Sequence, residues 1–157
     1  MDNIRSITRE TLEKLKISFP SKLTDKGGVN KLIINEELGN GEIRCVTFNE
    51  GIKVLEFEMT LNRDTSFTLD IEFSEIIFFM YCLKGNCLHN FNDSDDAIRI
   101  DELQTAAAFS YDGCLNEISI TKNIPVVFNL VVLNKTYYLA NSKEIIANTG
   151  VDLKELL

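Results

Sequence analysis

From Leu55 to Leu61, and again from Phe67 to Phe73, apolar residues fall at every second position, and that period restricts both runs to extended structure. Leu55, Phe57, Met59 and Leu61 alternate with Glu56, Glu58 and Thr60. After Asn62-Arg63-Asp64 the alternation resumes, with Phe67, Leu69, Ile71 and Phe73 set against Thr68, Asp70 and Glu72. Successive strand side chains point to opposite faces, so this pattern predicts one buried and one wet face. Glu56, Glu58, Asp70 and Glu72 are then a solvated surface, not a carboxylate site.

The rest of the chain reads in the same register. Gly41 to Phe48 and Ile52 to Leu61 are joined by Asn49-Glu50-Gly51, a short turn of the kind that links antiparallel strands. Ile76 to Leu83 is apolar at both parities, which predicts a central strand covered on both sides. Lys84-Gly85-Asn86 reads as a hairpin turn into Cys87 to Phe91, and Asp112-Gly113 as a hairpin turn into Leu115 to Thr121. Asn123 to Leu133 is the last long strand. About ten short strands with frequent turn signals are the mark of a sandwich or small barrel. The fold class is therefore mainly β, a barrel of short antiparallel strands.

Both ends read differently. Thr8 to Lys16 favours a short helix or arm that Pro20 closes, and Ser21 to Asn30 is polar, broken at Lys26-Gly27-Gly28. Asn141-Ser142 caps an expected short helix to Asn148, and Leu153 to Leu157 begins another turn. The organisation expected is residues 1–30 as an N-terminal arm or helix, 31–139 as the barrel, and 140–157 as the start of a helical linker. The two closing leucines carry no stop signal, which raises the expectation of a piece of a longer protein.

Charge and cysteine usage bear on partners. Sixteen Lys and Arg against twenty-four Asp and Glu give a net charge of −8, with no basic run. The nucleic-acid backbone is itself negative, so no nucleic-acid contact is expected from these residues. No apolar run approaches the roughly 20 residues that span a bilayer, and no apolar leader follows Met1. A cytoplasmic location without membrane contact is expected. Cys45, Cys82, Cys87 and Cys114 have no metal-finger spacing. They read as free thiols, although Cys82 and Cys87 flank a turn and could face each other.

His89 is the only histidine, too few imidazoles for the metal set of a double-stranded β-helix enzyme, so no metal or other cofactor is expected. Cys87 shares its strand face but stands too far along it for a direct nucleophile–base hydrogen bond. No nucleophile elbow or phosphate loop is present, and Asp93, Asp95 and Asp96 lack the spacing of a calcium loop. Aromatics suggest a different use. Phe79, Tyr81 and Leu83 share one face of the central strand, and His89 and Phe91 share one on the next. If those faces converge, Phe79, Tyr81, His89 and Phe91 line an apolar pocket with two polar tips, walled by Leu55, Phe57 and Met59. Ala106-Ala107-Ala108 would leave it room. The alternative is a filled core in which Tyr81 merely satisfies its hydroxyl.

Leu38-Gly39-Asn40-Gly41-Glu42-Ile43, Phe48-Asn49-Glu50-Gly51-Ile52, Phe79 to Gly85, His89-Asn90-Phe91, Asn123-Ile124-Pro125 and Lys135 to Leu139 occur in that order. From about Leu38 to Leu139 the chain resembles the N-terminal cupin-like sensor domain of AraC-type transcription regulators, in the form common in Bacteroidetes. The resemblance implies a β-barrel that binds a small-molecule effector or pairs as a homodimer. It also implies DNA contact only through a C-terminal helix-turn-helix domain outside these residues. The family fixes no ligand. On this reading the chain is a non-enzymatic sensor; the alternative is a small metal-independent cupin-fold isomerase or epimerase, with Tyr81 and His89 as its acid–base pair.

Overall fold

The computed structural model describes residues 2–26, 29–49, 51–69, 75–91, 97–111 and 116–141. At 2–6, 26, 29, 49, 91 and 111 it describes the backbone alone. One helix, α1 (Asp2–Leu15), precedes β1 (Ser21–Lys26), β2 (Val29–Ile34), β3 (Gly39–Asn49) and β4 (Ile52–Leu61). Then follow β5 (Thr65–Thr68), β6 (Glu75–Lys84), β7 (Asn86–Phe91), β8 (Ile98–Asp101), β9 (Thr105–Tyr111), β10 (Asn116–Ile120) and β11 (Val126–Asn134). Residues 135–141 are helical. No helix among the described residues is long and apolar enough to cross a membrane.

All strand pairs are antiparallel, and they nest. β7 pairs with β8, β6 with β9, β5 with β10 and β4 with β11. The chain from β4 to β11 is thus one long two-stranded ribbon, doubled back between β7 and β8 and rolled up. Successive ribbon segments fall in alternate sheets, and contacts between β11 and β6 and between β10 and β7 join the turns of the roll. The result is a seven-stranded sheet, β1-β2-β3-β4-β11-β6-β9, facing a four-stranded sheet, β5-β10-β7-β8. That is a cupin-like double-stranded β-helix, as expected.

Two turns act differently from expectation. Gly85, at φ 75°, carries the chain from β6 into β7, yet these strands lie in different sheets. β9 and β10 also lie in different sheets. Neither turn signal therefore joins hydrogen-bonded neighbours: Gly85 sits at a corner of the roll, and Asp112-Gly113 itself lies outside the described residues. The polar stretch after Ser21 also differs: β1 is a strand, paired over its length with β2. Its half-buried Leu23 packs on the core while Lys22 and Asp25 face solvent, a pattern too sparse to register as a strand in sequence.

The core lies between the sheets. Phe128 stacks on Phe57 with centroids 4.3 Å apart, Phe57 on Phe67 at 5.3 Å, and Phe67 meets Phe19 edge-on at 4.9 Å. This column of rings runs from one sheet to the other and ends on the segment after α1. The helix buries Leu12 and Leu15 in the same core. Thr8 donates to Thr47 on β3 at 2.8 Å, and the buried Lys53 on β4 donates to Thr11 at 3.2 Å. The N-terminal helix is therefore docked on the barrel. On the outer face, Ile77 of β6 packs with Leu133 and Tyr138. Asn134 caps the helical residues 135–141, its Oδ1 accepting from Tyr137 N–H at 3.0 Å. The helix thus begins before Asn141, where the sequence suggested a cap; the expected continuation through 142–157 lies outside the described residues.

Candidate functional site

Strand β7 turns Cys87 and His89 into the barrel and leaves Leu88 and Asn90 half-buried. β10 lies beside it with Ile118 opposite His89 and Asn116 opposite Phe91, so Asn116 is diagonal to His89 on the same inner face. From the facing sheet, β9 points Ala106, Ala108 and Ser110 inward. The imidazole of His89 engages the Asn116 side chain, and Asn116 Nδ2 donates to Ser110 Oγ at 2.7 Å. His89 and Asn116 are each 2% exposed, and Ser110 is 6% exposed. A polar chain thus bridges the two sheets inside an otherwise apolar interior that includes Phe78, Met80, Ala108, Cys87 and Ile118.

The electrostatics follow from that burial. Removal from water pulls the imidazole pKa below its ordinary 6.5, partly opposed by the Asn116 hydrogen bond, so His89 is neutral at physiological pH. Burial acts on the thiols in the opposite sense, favouring S–H. It pushes Cys45 up to about 11 and Cys87 up to about 12, and raises Cys82 as well. All three are free and buried. A thiol held protonated is a poor nucleophile, so Cys87 beside His89 does not form an activated pair. Cys114 lies outside the described residues. Among the described residues no three His, Cys, Asp or Glu side chains converge as a metal-ligand set.

The residues singled out from sequence separate into two groups. Phe57, Met59 and His89 point inward, Phe57 as a ring of the stacked column and Met59 as core. Phe79 and Tyr81 do not join them. On β6 the inner face is Ile76, Phe78, Met80 and Cys82, while Tyr81 is 37% exposed and Phe79 half-buried on the outside. The expected convergence of Tyr81 with His89 is corrected accordingly. Both parities of β6 are apolar, because its outer face is covered near Ile77 by Leu133 and Tyr138, so hydrophobicity alone does not reveal which parity faces the core. Phe91 sits opposite Asn116 in register; its side chain lies outside the described residues.

Sequence reasoning missed Asn116 and Ser110. A signal existed: Asn116 shares parity with Ile118 and Ile120, and Ser110 shares it with Ala106 and Ala108. Polar residues at the inward parity of an apolar strand are buried for a reason, since burial without a hydrogen bond is costly.

The charged outer face of the seven-stranded sheet has a simpler chemistry. Lys31 donates to Glu42 at 2.7 Å, Arg44 Nε to Glu42 at 2.6 Å, and Arg44 Nη1 to Glu56 at 3.5 Å. The Lys31 hydrogen bond, with Arg44 alongside, holds the Glu42 carboxyl below its usual value. An open groove of about 470 Å³ crosses this face between Asn40, Arg44, Thr60 and Lys84. Glu56 and Glu58 are exposed, as the alternation requires; Asp70 and Glu72 lie outside the described residues.

No family model matches the chain, and no curated protein matches it. Solved structures do. The cupin domain of Cnp3 from Schizosaccharomyces pombe is 14% identical over 66% of this chain and 70% of its own, with a TM-score of 0.47. A cupin superfamily protein from Desulfitobacterium hafniense is 11% identical over 64% and 83%, with a TM-score of 0.45. An HTH_3-family transcriptional regulator from Vibrio cholerae is 12% identical over 58% and 50%, with a TM-score of 0.41. These are likenesses of fold and carry no activity to this chain.

Proposed function

We propose that this chain is the effector-sensing and dimerisation module of an AraC-type transcription regulator, acting on a C-terminal helix-turn-helix domain, and is not an enzyme. The buried chain His89–Asn116–Ser110 is the observation that carries the sensing part. A neutral imidazole, an amide and a hydroxyl in an apolar interior are the few polar groups that orient a small, mostly apolar effector. Because the chain joins the two sheets, a ligand that exchanges hydrogen bonds with it changes how the sheets are tied together. That is a means of passing occupancy to the rest of the molecule. The assignment to AraC-type regulators is supported by the ordered motifs between Leu38 and Leu139.

The test is a thermal-shift screen of small apolar molecules bearing one or two hydrogen-bonding groups, since a ligand that binds only the folded state raises Tm by mass action. A hit should lose its shift in Asn116→Leu, once a cooperative melt of the unliganded variant has established that it folds. A hit that survives this change, or a screen without hits, counts against an interior effector site. The second reading, a metal-independent isomerase or epimerase, is favoured by one observation: a neutral buried imidazole is chemically able to accept a proton. It would show itself as turnover of the hit, seen as solvent deuterium entering the compound on incubation with the protein. Sensor binding leaves the compound unchanged.

A further inference from the structure

An edge strand exposes a row of unpaired backbone donors and acceptors, and proteins guard such edges with charge, brevity, proline or bulges. The two sheets have four edges: β1, β9, β5 and β8. β1 carries Lys22, Asp25 and Lys26. β5 is only four residues long, and β8 carries Arg99 and Asp101, paired to each other at 2.7 Å. β9 has none of these devices. Its seven residues, Thr105-Ala106-Ala107-Ala108-Phe109-Ser110-Tyr111, include no charged side chain and no proline.

The ladder shows which groups of β9 face away from the sheet. Cys82 N–H donates to Gln104 C=O at 3.0 Å, one step before Thr105 pairs with Tyr81. In an antiparallel ladder this alternation assigns the backbone groups of Ala106, Ala108 and Ser110 to β6. Those of Thr105, Ala107 and Phe109 then point outward, and among the described residues no strand pairs with that edge. The outer face beside it is apolar: Phe109 is 47% exposed, Leu83 40% and Tyr81 37%.

We propose that β9 pairs antiparallel with β9 of a second copy, about a two-fold axis through Ala107, to make one continuous sheet across a homodimer. Charge selects the place, and symmetry the occupant. A chain of net charge −8 repels its own copy over most of its surface, and β9 is the edge where no charges meet. A two-fold contact must be self-complementary, and a strand paired antiparallel with itself is so by construction. With the axis at Ala107, Thr105 stands opposite the partner's Phe109. The small side chains of Thr105 and Ala107 then leave that ring room to extend towards Tyr81. Dimerisation by this edge does not depend on the interior site and stands or falls separately from it.

Sedimentation equilibrium of the full chain tests it. The wild type should run at twice the chain mass of 17.8 kDa at micromolar concentration. Ala107 is exposed, so Ala107→Lys and Ala107→Glu should each fold, as circular dichroism will report, and each should run as a monomer because like charges meet at the axis. Mixed together, the two variants should recover the dimer. Thr105→Lys gives an independent disruption away from the axis. A monomeric wild type overturns the proposal, as does a dimer that survives both Ala107 changes, or a mixture that stays monomeric.

Discussion

At the scale of single residues, His89 is a buried group whose surroundings act on its charge in the range where an imidazole titrates. Its folded pKa lies below its unfolded value because burial disfavours the imidazolium. In the window between the two values the unfolded chain binds the proton more readily than the folded one, so stability rises with pH there. Its contribution is complete above the unfolded value of about 6.5 and is lost as pH falls towards the folded one. Wild-type Tm should therefore decline on acidification from about pH 7.5 to 5, a range set by the ordinary histidine pKa. His89→Gln, which keeps hydrogen-bonding capacity and cannot titrate, should flatten that decline. Glu42, also lowered, acts in a more acidic range and is largely solvent-screened. Parallel Tm–pH curves for the two proteins would show that His89 is not the group responsible.

At the scale of elements, close backbone approach limits what the β3–β4 pair tolerates. Gly41 has φ 128°, and a Cβ there would meet the Glu58 carbonyl oxygen and the Met59 backbone across the ladder. No flexible side-chain end is available to yield. Gly41→Ala should cost about 1–3 kcal/mol in a urea melt, by analogy with residues forced into sparsely populated backbone regions. An unchanged midpoint would mean that β3 can shift away from β4. The same scale shows what could be read in advance. β4 was legible because charge alternates with hydrophobe at every step, and the observed burial of Leu55, Phe57, Met59 and Leu61 follows that alternation. β6 was legible as a strand but not as an orientation, since Phe78 and Phe79, or Met80 and Tyr81, are equally apolar candidates for the inside. Sheet membership was not legible at all. A glycine turn looks alike whether it joins hydrogen-bonded neighbours or carries the chain to the opposite sheet, as at Gly85. The polar chain through the interior was missed for a related reason: Asn116 and Ser110 are brought together by the roll of the ribbon, and no local pattern encodes that.

At the scale of the whole molecule, the rolled ribbon leaves the inner face of the larger sheet partly uncovered by the smaller one, four strands facing seven. α1 and the segment after it fill that deficit. Leu12 and Phe19 are fully buried and Leu15 nearly so, Phe19 ends the ring column on Phe67, and Thr8 and Thr11 engage Thr47 and Lys53. Truncating one buried leucine or phenylalanine to alanine costs about 2–5 kcal/mol, against a total folding free energy of about 5–15 kcal/mol for a domain. Leu12→Ala and Phe19→Ala should each lower the unfolding free energy by an amount in that range. A protein lacking residues 1–19 loses all three side chains at once and exposes Phe67 and Lys53. It should then be insoluble or lack a cooperative thermal transition, whereas the two point variants still melt cooperatively at lower temperature. Differential scanning calorimetry of the three proteins decides the matter. If the truncated chain melts at the wild-type temperature with an undiminished enthalpy, α1 is a detachable arm and the barrel closes without it.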